Sequence, residues 1–186
     1  MFSKNRFWAF LVTVICFVCF SKTVYAGIDR DLMNAIENDN SKEVVSLLNK
    51  KANVNFRDRD SSTPLMLAAA KGNEETVKAL INNRANINDQ DKNGWTSLMI
   101  AVNGDNPRVA EILIDAGANL NIQNKDGKTV LMFAVIRENK KLVRKIVSQK
   151  TNVNLRDKNG LTALGWAKKM GGRLESIKIL KAAGAK

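Results

Sequence analysis

Thr63, Thr96, Thr129 and Thr162 stand at successive intervals of 33 residues. A second series keeps the same interval: Ala52-Asn53-Val54-Asn55, Ala85-Asn86-Ile87-Asn88, Ala118-Asn119-Leu120-Asn121 and Thr151-Asn152-Val153-Asn154. Two independent patterns with one period define a repeat array, in which a single unit cannot bury its apolar face and a stack of units can. This constrains the fold to a solenoid and leaves function to the positions that the repeat does not fix.

One unit reads as follows. Asn93-Gly94, Asp126-Gly127 and Asn159-Gly160 supply the positive φ that a tight turn needs. The threonine two residues later suits a helix N-cap, and Pro64 suits the first helical position. A short first helix carries Leu65/Ala68, Leu98/Ala101, Leu131/Ala134 and Leu164/Ala167, each pair on one face, and the alanines allow close helix approach. A second helix begins about ten residues after the threonine, with apolar spacing such as Val77-Leu80-Ile81 and Val109-Ile112-Leu113. It ends at the Ala-Asn-x-Asn segment, an extended exit to the next turn.

Turn glycine, Thr-Pro-Leu, paired alanines, two short helices and Gly-Ala-Asn-x-Asn together resemble the ankyrin repeat. The match is clearest over Ser61 to Asn88 and Gly94 to Asn121, and a divergent first unit keeps the register through Leu32, Met33 and Ala35. The resemblance implies an all-α repeat solenoid, an ankyrin-like stack of about five helix-turn-helix units with β-hairpin fingers, at 27–56, 57–89, 90–122, 123–155 and 156–186. The last unit holds one extra residue around Met170-Gly171-Gly172. Two departures are expected to matter. The histidine usual three residues after the threonine is Met33, Met66, Met99, Met132 and Gly165, which exchanges a polar tie for apolar packing. The glycine usual before Ala-Asn is Lys51, Arg84 and Lys150, with a cost in the left-handed region.

The first 26 residues read as a signal peptide of the bacterial kind: Lys4 and Arg6, the uncharged run Phe7 to Phe20, then Val24 and Ala26 before a cleavage point. The apolar run is short for a membrane span. Its removal takes away Cys16, Cys19 and Tyr25, and the sequence has no histidine, so the exported chain rests on its core and needs no disulfide. Charge is uneven. Residues 27–122 hold 11 Lys/Arg and 14 Asp/Glu, net −3; residues 123–186 hold 16 Lys/Arg and 4 Asp/Glu, net +12. Such asymmetry speaks about partners.

Two segments imitate catalytic or metal motifs. Asp89-Gln90-Asp91-Lys92-Asn93-Gly94 begins like a calcium loop, but its twelfth position is Ile100. Gly127-Lys128-Thr129 ends like a phosphate loop, but the first glycine would be Ile122. Both read as repeat turns. Without histidine, thiol or tyrosine the exported chain lacks the usual proton-transfer and nucleophilic groups, so no enzyme, cofactor or metal is expected.

The resemblance implies a concave binding face made of finger tips and first helices. Aligned on the threonines, the tips present Arg59, Lys92, Lys125 and Lys158. The position before each threonine is Ser62, Trp95, Lys128 and Leu161, and positions seven and eight after it include Ile136 and Arg137. A basic groove with apolar anchors at Trp95, Ile136 and Leu161 follows, set against the plainer reading that Asp58, Asp91, Asn124 and Asp157 serve only turn chemistry and solubility. A second basic cluster, Lys140, Lys141, Arg144, Lys145 and Lys150, falls on an outer helix. The expectation is a monomeric, exported, non-enzymatic binding protein, periplasmic or secreted, that holds an acidic protein and takes no small-molecule substrate. The competing readings are an anionic-surface binder (acidic lipid, polyanion or nucleic acid) using the C-terminal half, and a secreted effector that binds a host protein.

Overall fold

A computed structural model describes residues 27–149, 151–171 and 174–186. The expected signal segment, Lys150 and Gly172 lie outside the described residues. Helix α1 spans 27–37. It is followed by α2 (Ser41–Asn49), α3 (Pro64–Lys71), α4 (Glu74–Asn82), α5 (Ser97–Asn103), α6 (Pro107–Asp115), α7 (Val130–Ile136), α8 (Lys140–Ser148), α9 (Ala163–Lys169) and α10 (Leu174–Ala182). Helices α3, α5, α7 and α9 pack in series as one row, and α2, α4, α6, α8 and α10 as another. The result is a helical repeat solenoid with its core between the rows. Among the described residues no helix is long and apolar enough to cross a membrane.

The threonines cap as the sequence requires. The hydroxyls of Thr63, Thr96, Thr129 and Thr162 accept from the backbone N–H of Met66, Met99, Met132 and Gly165. A second capping series escapes the sequence reading although it has the same period. Asn40, Asn73 and Asn139 cap α2, α4 and α8. Asn106, one period on from Asn73, instead donates from Nδ2 to the carbonyls of Ala69 and Ala70 at the end of α3. Met66, Met99 and Met132 are buried in place of the usual histidines. Met66 keeps a trace of the polar tie, since its sulfur accepts from Thr63 N–H at 3.5 Å.

Positive φ recurs with the repeat. It occurs at Ser61, Gly94, Gly127 and Gly160 in the fingers, and at Asp39, Gly72, Asp105 and Glu138 between paired helices. It also occurs at Lys51, Arg84 and Gly117 after the second helices, so Lys51 and Arg84 do occupy the expected left-handed sites. Gly94 and Gly127 have a further reason to be glycine. A Cβ there would lie 2.9 Å from the backbone nitrogens of Lys125 and Lys158 in the next finger.

The fingers differ from the expected β-hairpins: among the described residues no strand occurs. Each finger is a turn closed by one backbone bond, Asp58 N–H to Ser62 O, Asp91 to Trp95, Asn124 to Lys128 and Asp157 to Leu161. The side chain of the first residue completes it. Oδ1 of Asp58, Asp91, Asn124 and Asp157 accepts from the amides two and four residues on. These side-chain bonds take the place of a strand ladder. Neighbouring fingers are joined by Lys92 N–H to Asp60 O, Lys125 to Asn93 and Lys158 to Asp126.

Two more ladders run along the stack. Asn55, Asn88 and Asn121 accept through Oδ1 from the amides of Asn86, Asn119 and Asn152 in the next unit. Arg57, Gln90 and Gln123 each donate to a carbonyl four residues on and to the carbonyl 33 residues on. The Asn-x-Asn signature is therefore an inter-unit connection.

Candidate functional site

The finger tips and the first-helix row enclose open clefts. One, of about 590 Å³, lies between α1 and the first finger and is lined by residues including Met33, Glu37, Phe56, Asp58 and Arg59. A second, of about 180 Å³, continues over Met66, Leu67, Ala70 and Ile100. The second cleft has the apolar floor, whereas the first carries charged residues of both signs, Arg30, Glu37, Arg57, Asp58 and Arg59, beside Met33 and Phe56. Of the sequence-derived candidates, Arg59 is the one that lines these clefts.

The remaining candidates fall further along the same face. Arg59, Lys92, Lys125 and Lys158 are all exposed at the tips, and the backbone bonds between fingers hold them in one row. Lys92 approaches Asp60 at 3.7 Å. Lys125 and Lys158 form no ion pair among the described residues. Arg137 is exposed and donates to Asn103 Oδ1 at 3.0 Å, and Ile136 beside it is half-buried. Leu161 is half-buried.

Trp95 differs from its expected place as an open tip anchor. It is half-buried and packed on the core, its ring 4.7 Å from that of Phe133 at 33°. The geometry explains the residue: the position before one cap leans over the position four after the next cap. Lys128 repeats this relation one unit later, with Nζ 5.1 Å from the centre of the Trp166 ring. Lys169 Nζ also lies 5.1 Å from that ring. Trp166 Nε1 donates to Asp157 Oδ2 at 2.9 Å, so the buried turn aspartate fixes the indole. The matching pair one unit earlier, Asn124 and Phe133, has no such bond, and Asn124 Nδ2 is buried without a partner among the described residues. Trp166 and Lys169 therefore join the candidate set. The pairing of this ring with two lysines from different units leaves no trace along the sequence.

The outer basic cluster is largely paired. Lys141 meets Glu111 at 2.6 Å, Lys145 meets Asp115 at 2.7 Å and Arg144 meets Glu175. These bonds join α6, α8 and α10. The hydrogen bond from Lys141 holds the Glu111 carboxyl below its ordinary value, helped by the charges of Lys141, Arg108 and Lys145 and opposed by burial. The two imitative motifs are occupied by the fold itself: Asp89 pairs with Arg57 at 2.9 Å, Asp91 holds two turn amides, and Thr129 caps α7.

A stack of paired helices with an open face of clefts, cations and aromatic rings is the architecture of a binding solenoid. The sequence model described as "Ankyrin repeats (3 copies)" matches residues 32–124 and again 103–186, and the chain belongs to this family. Ankyrin repeats generally mediate protein–protein interaction, and proteins built of them are typically non-enzymatic. No curated protein matches the chain.

Proposed function

We propose that this chain is a non-enzymatic scaffold that holds an acidic protein against its finger and first-helix face, over units three to five. On this reading the helices form five units, at 27–56, 57–89, 90–122, 123–155 and 156–186, with hairpin-like fingers as the contact edge. Residues 1–26 direct export, and the scaffold works in the periplasm or outside the cell as a monomer.

One observation carries the reading. Lys125, Lys128 and Lys158 meet no carboxylate of their own chain among the described residues, whereas three cations of α8 are paired with neighbouring helices. Charge left uncompensated at a groove steers and orients an oppositely charged partner. The triple reversal Lys125→Glu/Lys128→Glu/Lys158→Glu is expected to weaken binding of a captured partner by about tenfold or more at low salt. It should also abolish most of the salt dependence. Unchanged affinity and unchanged salt dependence would remove the basic-groove reading.

A further inference from the structure

Resting on the acidic-partner reading above, we infer that Lys128, Lys169 and Trp166 form a clamp for carboxylates, which takes an extended acidic segment of the partner protein across units four and five.

The clamp is assembled between units. Lys128 precedes the cap of α7, whereas Trp166 and Lys169 belong to α9. Both ammonium groups stand 5.1 Å from the indole centre. Neither has an ion-pair partner among the described residues. The acid bonded to the ring is already engaged: Asp157 is buried, its Oδ1 accepts from the amides of Asn159 and Leu161, and its Oδ2 accepts from the indole. That third bond orients the ring, so the seat is built before a partner arrives.

Two ammonium groups beside one indole bring two positive charges to the same residue, and the electron-rich ring offsets that charge only in part. An incoming carboxylate compensates that charge and gains charge-assisted hydrogen bonds from lysines that stay partly open to solvent. Several carboxylates in a row fit better than a single anion. Lys125 and Lys158 extend the exposed positive charge along the tips of these two units, and the open part of the half-buried Trp95 ring, backed by buried Phe133, offers an apolar contact. A polyanion such as nucleic acid would gain more from a broad cationic surface, but Lys141, Arg144 and Lys145 on the outer row are already paired with Glu111, Glu175 and Asp115.

The test uses the full chain and a capped hexaglutamate peptide, with affinity measured by calorimetry at low salt. Lys128→Gln/Lys169→Gln is expected to weaken binding about tenfold. The control Lys140→Gln/Lys178→Gln removes the same charge from exposed lysines of the second helices and should change affinity less than about twofold. Equal losses in both double variants would mean diffuse attraction to net charge and would overturn the clamp. No loss in the first, with a large loss in Lys125→Glu/Lys158→Glu, would overturn the clamp and leave the acidic-partner reading standing. Absence of hexaglutamate binding to the unaltered chain would overturn both. Tighter binding of a DNA duplex through the same two lysines would replace the protein partner with a polyanion.

Discussion

Single residues in this chain are explained by the unit beyond their own. Gly127 is a glycine because its φ is +76° and because the backbone nitrogen of Lys158 stands where a Cβ contact would fall. Gly127→Ala must therefore strain the backbone and push two fingers apart; a loss of about 2 kcal/mol in urea unfolding is expected. Arg84 is the opposite case. It holds φ of +66° with no glycine to relax it, one period before Gly117. Arg84→Gly is expected to stabilise the chain by about 1 kcal/mol, read as a higher urea midpoint with unchanged slope. Both positions were legible in the sequence as left-handed sites. The close approach of the next finger was not, because it depends on where the neighbouring unit sits.

Helices in the outer row are held together by their apolar seams and by ion pairs that cross from α6 to α8 and from α8 to α10. Glu111 is the best placed to report on them, since it meets both Lys141 and Arg108. Its folded value is depressed, so its contribution is fully present above the unfolded carboxyl value near pH 4.5 and is lost as pH falls through the lower folded value. Glu111→Gln is expected to make the acid-side decline of stability shallower as pH falls below the unfolded carboxyl value, measured by urea midpoints at successive pH. The sequence placed Lys140, Lys141, Arg144 and Lys145 on an outer helix correctly, but it read them as one basic patch. The acids that pair with three of them stand about 30 positions away in either direction, and no local pattern links them. The fingers are the contrary case. The plainer sequence reading of Asp58, Asp91 and Asp157 as turn chemistry agrees with the structure, where their oxygens hold backbone amides.

Taken as a whole, the molecule is a one-dimensional stack, so its cohesion depends on every internal contact surface between units. Leu98 is almost fully buried in α5, which packs against both α3 and α7. Leu98→Ala is expected to cost about 3 kcal/mol in urea unfolding, because the cavity interrupts two neighbours at once. Val45→Ala, at a position 42% exposed, should change stability by less than about 0.5 kcal/mol. Charge follows the same axis, with the cations concentrated beyond residue 122. What the sequence determined by itself was whatever repeats: the 33-residue register, the threonine caps, the left-handed turn sites, the two rows of helices and hence the solenoid. Those features are set by local backbone chemistry and by the need of each unit to bury one apolar face, and both leave a periodic trace. Only the tertiary structure decided which charges remain available. Packing one unit on the next paired Lys141, Lys145 and Arg144 with distant acids, set Trp95 on Phe133, and brought Lys128 and Lys169 to the same indole. Those outcomes follow from distances between units, which a period along the chain does not contain.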